Sequence, residues 1–110
     1  MLTTNGVVRA GQLEIWGDEY TALLDGVPLT LTVRELALLS ELAAHSDRVL
    51  TRGELYSAVW GGEMRPSDRS VDVYISRLRA KLANVTPETR FIHTHFGIGY
   101  RFSPAVGQSA

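Results

Sequence analysis

There is no cysteine in this 110-residue chain. Disulfides and thiolate metal sites are therefore excluded, and the fold must rest on a packed core. Apolar runs of membrane length are missing too. So is a basic-plus-apolar leader ahead of a small-residue cleavage site, which makes a cytoplasmic location the expectation. Excess positive charge is also lacking: the formal net charge is −1. The charge is unevenly distributed, however. Residues 1–47 carry Arg9 and Arg34 against seven acids, whereas residues 48–110 carry nine Arg or Lys against five. A polyanion would be attracted to the second half and repelled by the first. With 45% apolar residues, the chain is expected to form one domain over 1–110, its core at about 8–103.

The first third reads as short strands. Leu13 and Ile15 alternate with Glu14 inside Arg9–Trp16, and Tyr20–Leu24 and Val27–Leu31 flank the hairpin dipeptide Asp25-Gly26. Thr32 to Glu35 is a capping box, so a helix is expected from there to about His45, with Leu36, Leu39, Leu42 and Ala43 at helical spacing. Val49-Leu50 is too short to stand alone but can add to a sheet. Thr51 to Glu54 forms a second capping box before a short helix through Leu55, Val59 and Trp60. Residues 61–68, with Gly61, Gly62 and Pro66, are expected as a loop. After a third helix that Pro87 bars from extending, Phe91–His95 and Tyr100–Phe102 read as strands joined at Gly97-Ile98-Gly99. Ser103–Ala110 is expected as a frayed tail. Three helices followed by a hairpin make a winged helix.

The third helix, Arg69 to about Ala83, is the most informative stretch. At about 100° per residue, Val71, Ile75, Leu78 and Leu82 share one apolar stripe. Arg69, Val73, Ser76 and Ala80 lie opposite, with Arg77 on their flank. That outer face is slim and carries arginine, which pairs with phosphate or with guanine edges. A solvated surface helix is the competing reading.

The segments LTVRELALLSELA (31–43), RVLTRGELYSAVW (48–60), RSVDVYISRLRAKL (69–82) and GIGYRF (97–102) together resemble the C-terminal DNA-binding effector domain of OmpR/PhoB-type response regulators. The resemblance covers most of residues 29–102. It implies an α+β winged helix-turn-helix: an N-terminal four-stranded antiparallel sheet, three helices and a C-terminal β-hairpin wing at 91–102. It also implies an upstream phosphorylatable receiver, for which 110 residues leave no room; an excised effector domain, or a regulator with another sensor, is expected.

The resemblance further places the helix at 69–83 in the major groove. Arg69, Ser70, Tyr74 and Arg79 match phosphate-contacting positions, and Val73, Ser76 and Arg77 match positions facing bases or their rim. Arg52, at a helix start, is expected to meet the backbone. Lys81, His95, Phe96, Tyr100 and Arg101 complete the expected DNA-binding set, although Tyr100 reads equally as a core residue with its hydroxyl at the surface. Many relatives carry an arginine where this chain has Phe96, so minor-groove reading by a cation is not expected. Loop 61–68 matches a segment that in some members contacts RNA polymerase.

Other signals have plainer readings. Asp72, an acid on this helix, is expected to orient Arg69 or Arg79 or, less favoured, to accept from a cytosine amino group. Trp60 reads as a core anchor. His93 and His95 share a strand face, but no third ligand is evident, so no metal is expected. Gly97-x-Gly99 precedes a strand and is a turn rather than a nucleotide loop. No nucleophile sits in a catalytic context, so neither an enzyme nor a cofactor is expected. The expected function is sequence-specific binding of double-stranded DNA by a regulator that is monomeric in isolation and pairs head-to-tail on direct repeats. The alternative is a winged-helix module contacting the transcription machinery.

Overall fold

The computed structural model describes residues 6–104. Strands β1 (Val7–Ala10), β2 (Leu13–Trp16), β3 (Thr21–Leu24) and β4 (Val27–Pro28) form an antiparallel sheet in that order. The expected segment Arg9–Trp16 is thus two strands, reversed between Ala10 and Leu13. Its alternation places Val8, Ala10, Leu13 and Ile15 on the core side. The β3–β4 turn has φ of +53° at Asp25 and +78° at Gly26, the pair of positive values that a tight hairpin following the strand twist requires. The strand expected over Val27–Leu31 is only two residues long, although just beyond it the Leu29 N–H still donates to the Ala22 carbonyl at 2.9 Å. A short 3₁₀ turn at Gly17–Glu19, unforeseen from the pattern, links β2 to β3.

Helix α1 (Val33–Ala44) opens on Thr32 as expected. Thr32 Oγ1 accepts from the Glu35 N–H at 3.1 Å, and Glu35 Oε1 accepts from the Thr32 N–H at 2.8 Å. Thr51 and Glu54 repeat the arrangement at α2 (Arg52–Val59). Helix α1 is central: it packs on the first sheet, on α2 and on α3 (Ser70–Val85). That explains why Leu38, beyond the expected stripe, is fully buried.

Strands β6 (Ile92–His95) and β7 (Gly99–Phe102) form the hairpin, and β5 (Val49–Thr51) pairs with β7. The second sheet is therefore β5–β7–β6. A Cβ at Gly99 would collide with the Leu50 carbonyl and come within 2.8 Å of Thr51 Cα, so only glycine lets β5 approach so closely. Val71, Ile75, Leu78 and Leu82 of α3 are buried with Leu13, Leu39, Leu55 and Phe102. Helix α3 runs two residues beyond the expected end and stops at Thr86, next to Pro87. Phe91, expected as the first residue of the wing strand, precedes β6; its ring stacks on Phe102 at 5.9 Å. Ser103 and Pro104 follow β7, and the rest of the expected tail lies outside the described residues.

Candidate nucleic-acid interface

The outer face of α3 is open where the helical spacing places it. Val73, Ser76, Arg77 and Ala80 are exposed, and the Arg69 side chain is 78% exposed. The start of α3 is capped from outside the helix: the Ser70 N–H donates to Asp68 Oδ1 at 2.7 Å. That carboxylate satisfies one of the free amides at the helix start.

The flanks of α3 differ from the sequence expectation. On one flank, Tyr74 meets Trp60 edge-on, with ring centroids 5.2 Å apart, and Trp60 stacks on Tyr56 at 5.4 Å. The Arg77 guanidinium lies 4.9 Å from the Tyr74 ring centroid, and Arg34 lies 5.1 Å from that of Trp60. Trp60 is accordingly half-buried and packs against the core rather than forming a free stacking platform. Lys81, further along the same flank, turns to α1, where its Nζ sits 2.6 Å from Glu35 Oε1. The ammonium thus serves an internal carboxylate, a partner the sequence expectation did not include.

The other flank faces the wing. Arg79 donates from Nη2 to the Ile92 carbonyl at 2.9 Å and to Thr94 Oγ1 at 2.7 Å, joining α3 to β6. Burial lowers its pKa, since the charge is partly removed from water. Arg79 thus ties α3 to the wing, a part the sequence expectation did not include. Tyr100 is part of the core at 5% exposed, and its hydroxyl donates to Asp72 Oδ1. Arg52 donates from Nε to the same oxygen at 2.8 Å. Asp72 does play an orienting part, but toward Arg52 and, at 3.8 Å, Arg69, not toward Arg79.

At the wing, Arg101 Nε donates to His95 Nε2 at 3.1 Å, and its Nη1 lies 3.7 Å from Asp47 Oδ1. These two residues, expected to face DNA, are in contact with each other. His93 has a lowered pKa, first because it is partly buried and then because Arg101, Arg90 and Arg79 surround it. Phe96 at the tip is 90% exposed, and Ile98 beside it is 55% exposed. Loop 61–68 leaves α2 through Gly61 and Gly62, both at positive φ, and Ser57 Oγ donates to the Gly62 carbonyl at 2.7 Å. Among the described residues, no three metal-ligating side chains gather and no helix is long and apolar enough to cross a membrane.

An exposed, slim, arginine-bearing helix, braced by a shorter helix and flanked by a hairpin, defines a winged helix. Residues 26–102 match the family profile described as transcriptional regulatory protein, C terminal. The chain belongs to this family, the OmpR/PhoB-type C-terminal DNA-binding domains of transcriptional regulators. It is 43% identical to the alkaline phosphatase synthesis transcriptional regulatory protein PhoP of Bacillus subtilis, over 87% of this chain and 40% of the relative. It is 36% identical to the phosphate regulon transcriptional regulatory protein PhoB of Pseudomonas aeruginosa, over 87% of this chain and 41% of that protein. The chain thus spans about two-fifths of the length of these curated relatives. In structure it resembles the DNA-binding domain of CpxR from E. coli, with a TM-score of 0.80 and 32% identity over 91% of this chain and 98% of that one. The Klebsiella pneumoniae RstA DNA-binding domain, solved in complex with the RstA box, matches with a TM-score of 0.79 and 35% identity, over 89% and 97% of the two chains.

Proposed function

We propose that this chain is the effector domain of a bacterial two-component transcriptional regulator and binds double-stranded DNA sequence-specifically. The open face of α3, with Arg69, Val73, Ser76 and Arg77 exposed to solvent, is the observation that carries this reading. Arg77 and its neighbours Val73 and Ser76 face the base edges, while Arg69 and Ser70 meet phosphate at the helix start. The wing, through Phe96 and the Arg101–His95 pair, lies along the adjacent backbone and minor groove.

The footprint of one such domain is small, so tight binding calls for two copies, head-to-tail on direct-repeat half-sites. Loop 61–68 is proposed to contact RNA polymerase. Its residues Glu63, Arg65 and Ser67 are exposed, and it borders a surface cleft lined by Glu41, Arg48, Glu54, Glu63 and Met64. The protein is proposed to act in the cytoplasm without a cofactor.

Selection of bound duplexes from a random pool tests the reading. One sequence family should be enriched, and its affinity should fall steeply as salt rises, because phosphate contacts displace condensed counterions. Recovery of random sequences, or binding insensitive to salt, overturns it.

A further inference from the structure

Asp72 is the one acid within the helix segment that carries the open arginine face, and the structure gives it partners from three elements. Arg52 at the start of α2 donates at 2.8 Å, the Tyr100 hydroxyl donates from β7, and Arg69 at the start of α3 approaches at 3.8 Å. The Arg52 guanidinium also lies 5.2 Å from the Tyr100 ring centroid. It is held between a carboxylate and an aromatic face. The Arg52 and Asp72 side chains are only 28% and 26% exposed. Burial pushes the Asp72 carboxyl up, but the Tyr100 hydroxyl and Arg52 outweigh it and keep the pKa below the ordinary carboxylate value. The acid is therefore ionised at neutral pH, facing cations that would otherwise be free.

We infer that Asp72 is a positioning residue for sequence discrimination: it neutralises Arg52 and tethers Arg69, so that the base-facing surface of α3, rather than loose phosphate contacts, decides which duplexes are bound. The inference rests on the DNA-binding function proposed above. Its physical basis is that specificity is a difference of affinities: an untethered cation reaches phosphate in any docking pose, including those in which α3 is not seated on its bases, whereas a tethered one does not stabilise those unseated poses. A carboxylate that withholds such a cation lowers non-specific affinity more than specific affinity.

The test is a salt titration of the wild type, Asp72→Asn, Arg52→Gln and the double variant against a selected duplex and its scrambled counterpart. Asp72→Asn should bind the scrambled duplex more tightly and narrow the specific-to-scrambled ratio. Its log affinity should fall more steeply with log salt, by about 0.9, the slope of one added phosphate contact. Arg52→Gln should change the wild-type slope by much less, yet the double variant should lose the slope gained by Asp72→Asn. If Asp72→Asn weakens both duplexes in proportion at an unchanged slope, the carboxylate is only a brace and the inference falls. Should Asp72→Asn fail to fold, Arg52→Gln alone decides. A slope loss of about 0.9 would mean that Arg52 already contacts phosphate, which overturns the inference; a preserved slope supports it. A wild type that binds neither duplex in a salt-dependent way overturns the DNA-binding function itself.

Discussion

The Lys81 ammonium lies 2.6 Å from Glu35 Oε1, joining the long third helix to a carboxylate that is 2% exposed. Glu35 already accepts the Thr32 N–H in its capping box. One side chain thus closes the start of α1 and anchors α3 across it. Burial would raise the Glu35 pKa, but Lys81 and the Thr32 amide together lower it.

The first prediction concerns this pair. Lys81→Met should lower stability at pH 7 by about 1–3 kcal/mol, since it leaves a buried acceptor short of a partner. For a domain of this size that is roughly 4–8 °C in Tm per kcal/mol. The sign with pH follows from the lowered folded pKa. The unfolded state takes up its proton near pH 4.3, above the folded group, so the stabilisation is complete above that pH. It is lost as pH falls through the folded value, and Asp72, also lowered, adds to the same acid-side loss. Thermal melts from pH 7 to pH 3 should show a steeper decline for the wild type than for Lys81→Met. Equal Tm values at pH 7 would mean that the ion pair contributes nothing.

A second prediction is Gly99→Ala. The added methyl would strike the Leu50 carbonyl, and backbone cannot move aside as a flexible side chain can. Overpacking of this kind costs about 1–3 kcal/mol, and the upper end is expected here. Denaturant unfolding measures it. A midpoint within error of the wild type would show that β5 has room to separate from β7.

The capping boxes at Thr32 and Thr51, the Asp25-Gly26 turn and the buried stripe of α3 were legible because each is a local rule with a short period. The open face of α3 followed from the same stripe. What escaped were the partners of its flanks. Lys81 and Arg79 read as DNA-facing cations because basic residues on such a helix fit a polyanion; the internal partners they also find are 46 and 13 residues away in the chain. Tyr100 could not be assigned from its place in a strand, since its hydroxyl meets Asp72 only once the wing folds back on α3. Glu35 gave one usable hint: a capping-box glutamate beside a helix due for burial needs a second donor.

The third prediction concerns Arg77. Its guanidinium rests over Tyr74, which in turn is held edge-on by Trp60, so the arginine is preset on the outer face. Arg77→Ala should weaken specific binding by roughly 1–3 kcal/mol, with a much smaller loss on scrambled duplex. Tyr74→Leu should cost about 0.5–1 kcal/mol of the same specific affinity by removing the cation–π support. Equal losses on both duplexes for Arg77→Ala would make it a phosphate contact only.

The last prediction concerns the wing tip. Among the described residues nothing covers Phe96, which is 90% exposed, and the nearby cation Arg101 is occupied with His95 and Asp47. The tip therefore presents an apolar ring, with Ile98 beside it. A phenyl ring gains nothing from the enhanced negative potential of a narrow minor groove, whereas an arginine does. The wild type should accordingly show little preference for an A·T-rich flank. Phe96→Arg should bind more tightly overall, and most tightly where such a flank adjoins the half-site. The residue is exposed, so stability should hardly change, and any difference in affinity reflects the contact itself. Titrating both proteins against duplexes that differ only in the flank makes the comparison. A wild type that already separates the flanks strongly, with no gain on arginine substitution, would make Phe96 a specific reader in its own right. Such a ring would act as a wedge at a base step, and its removal by Phe96→Ala should then reduce the bend it imposes on the duplex.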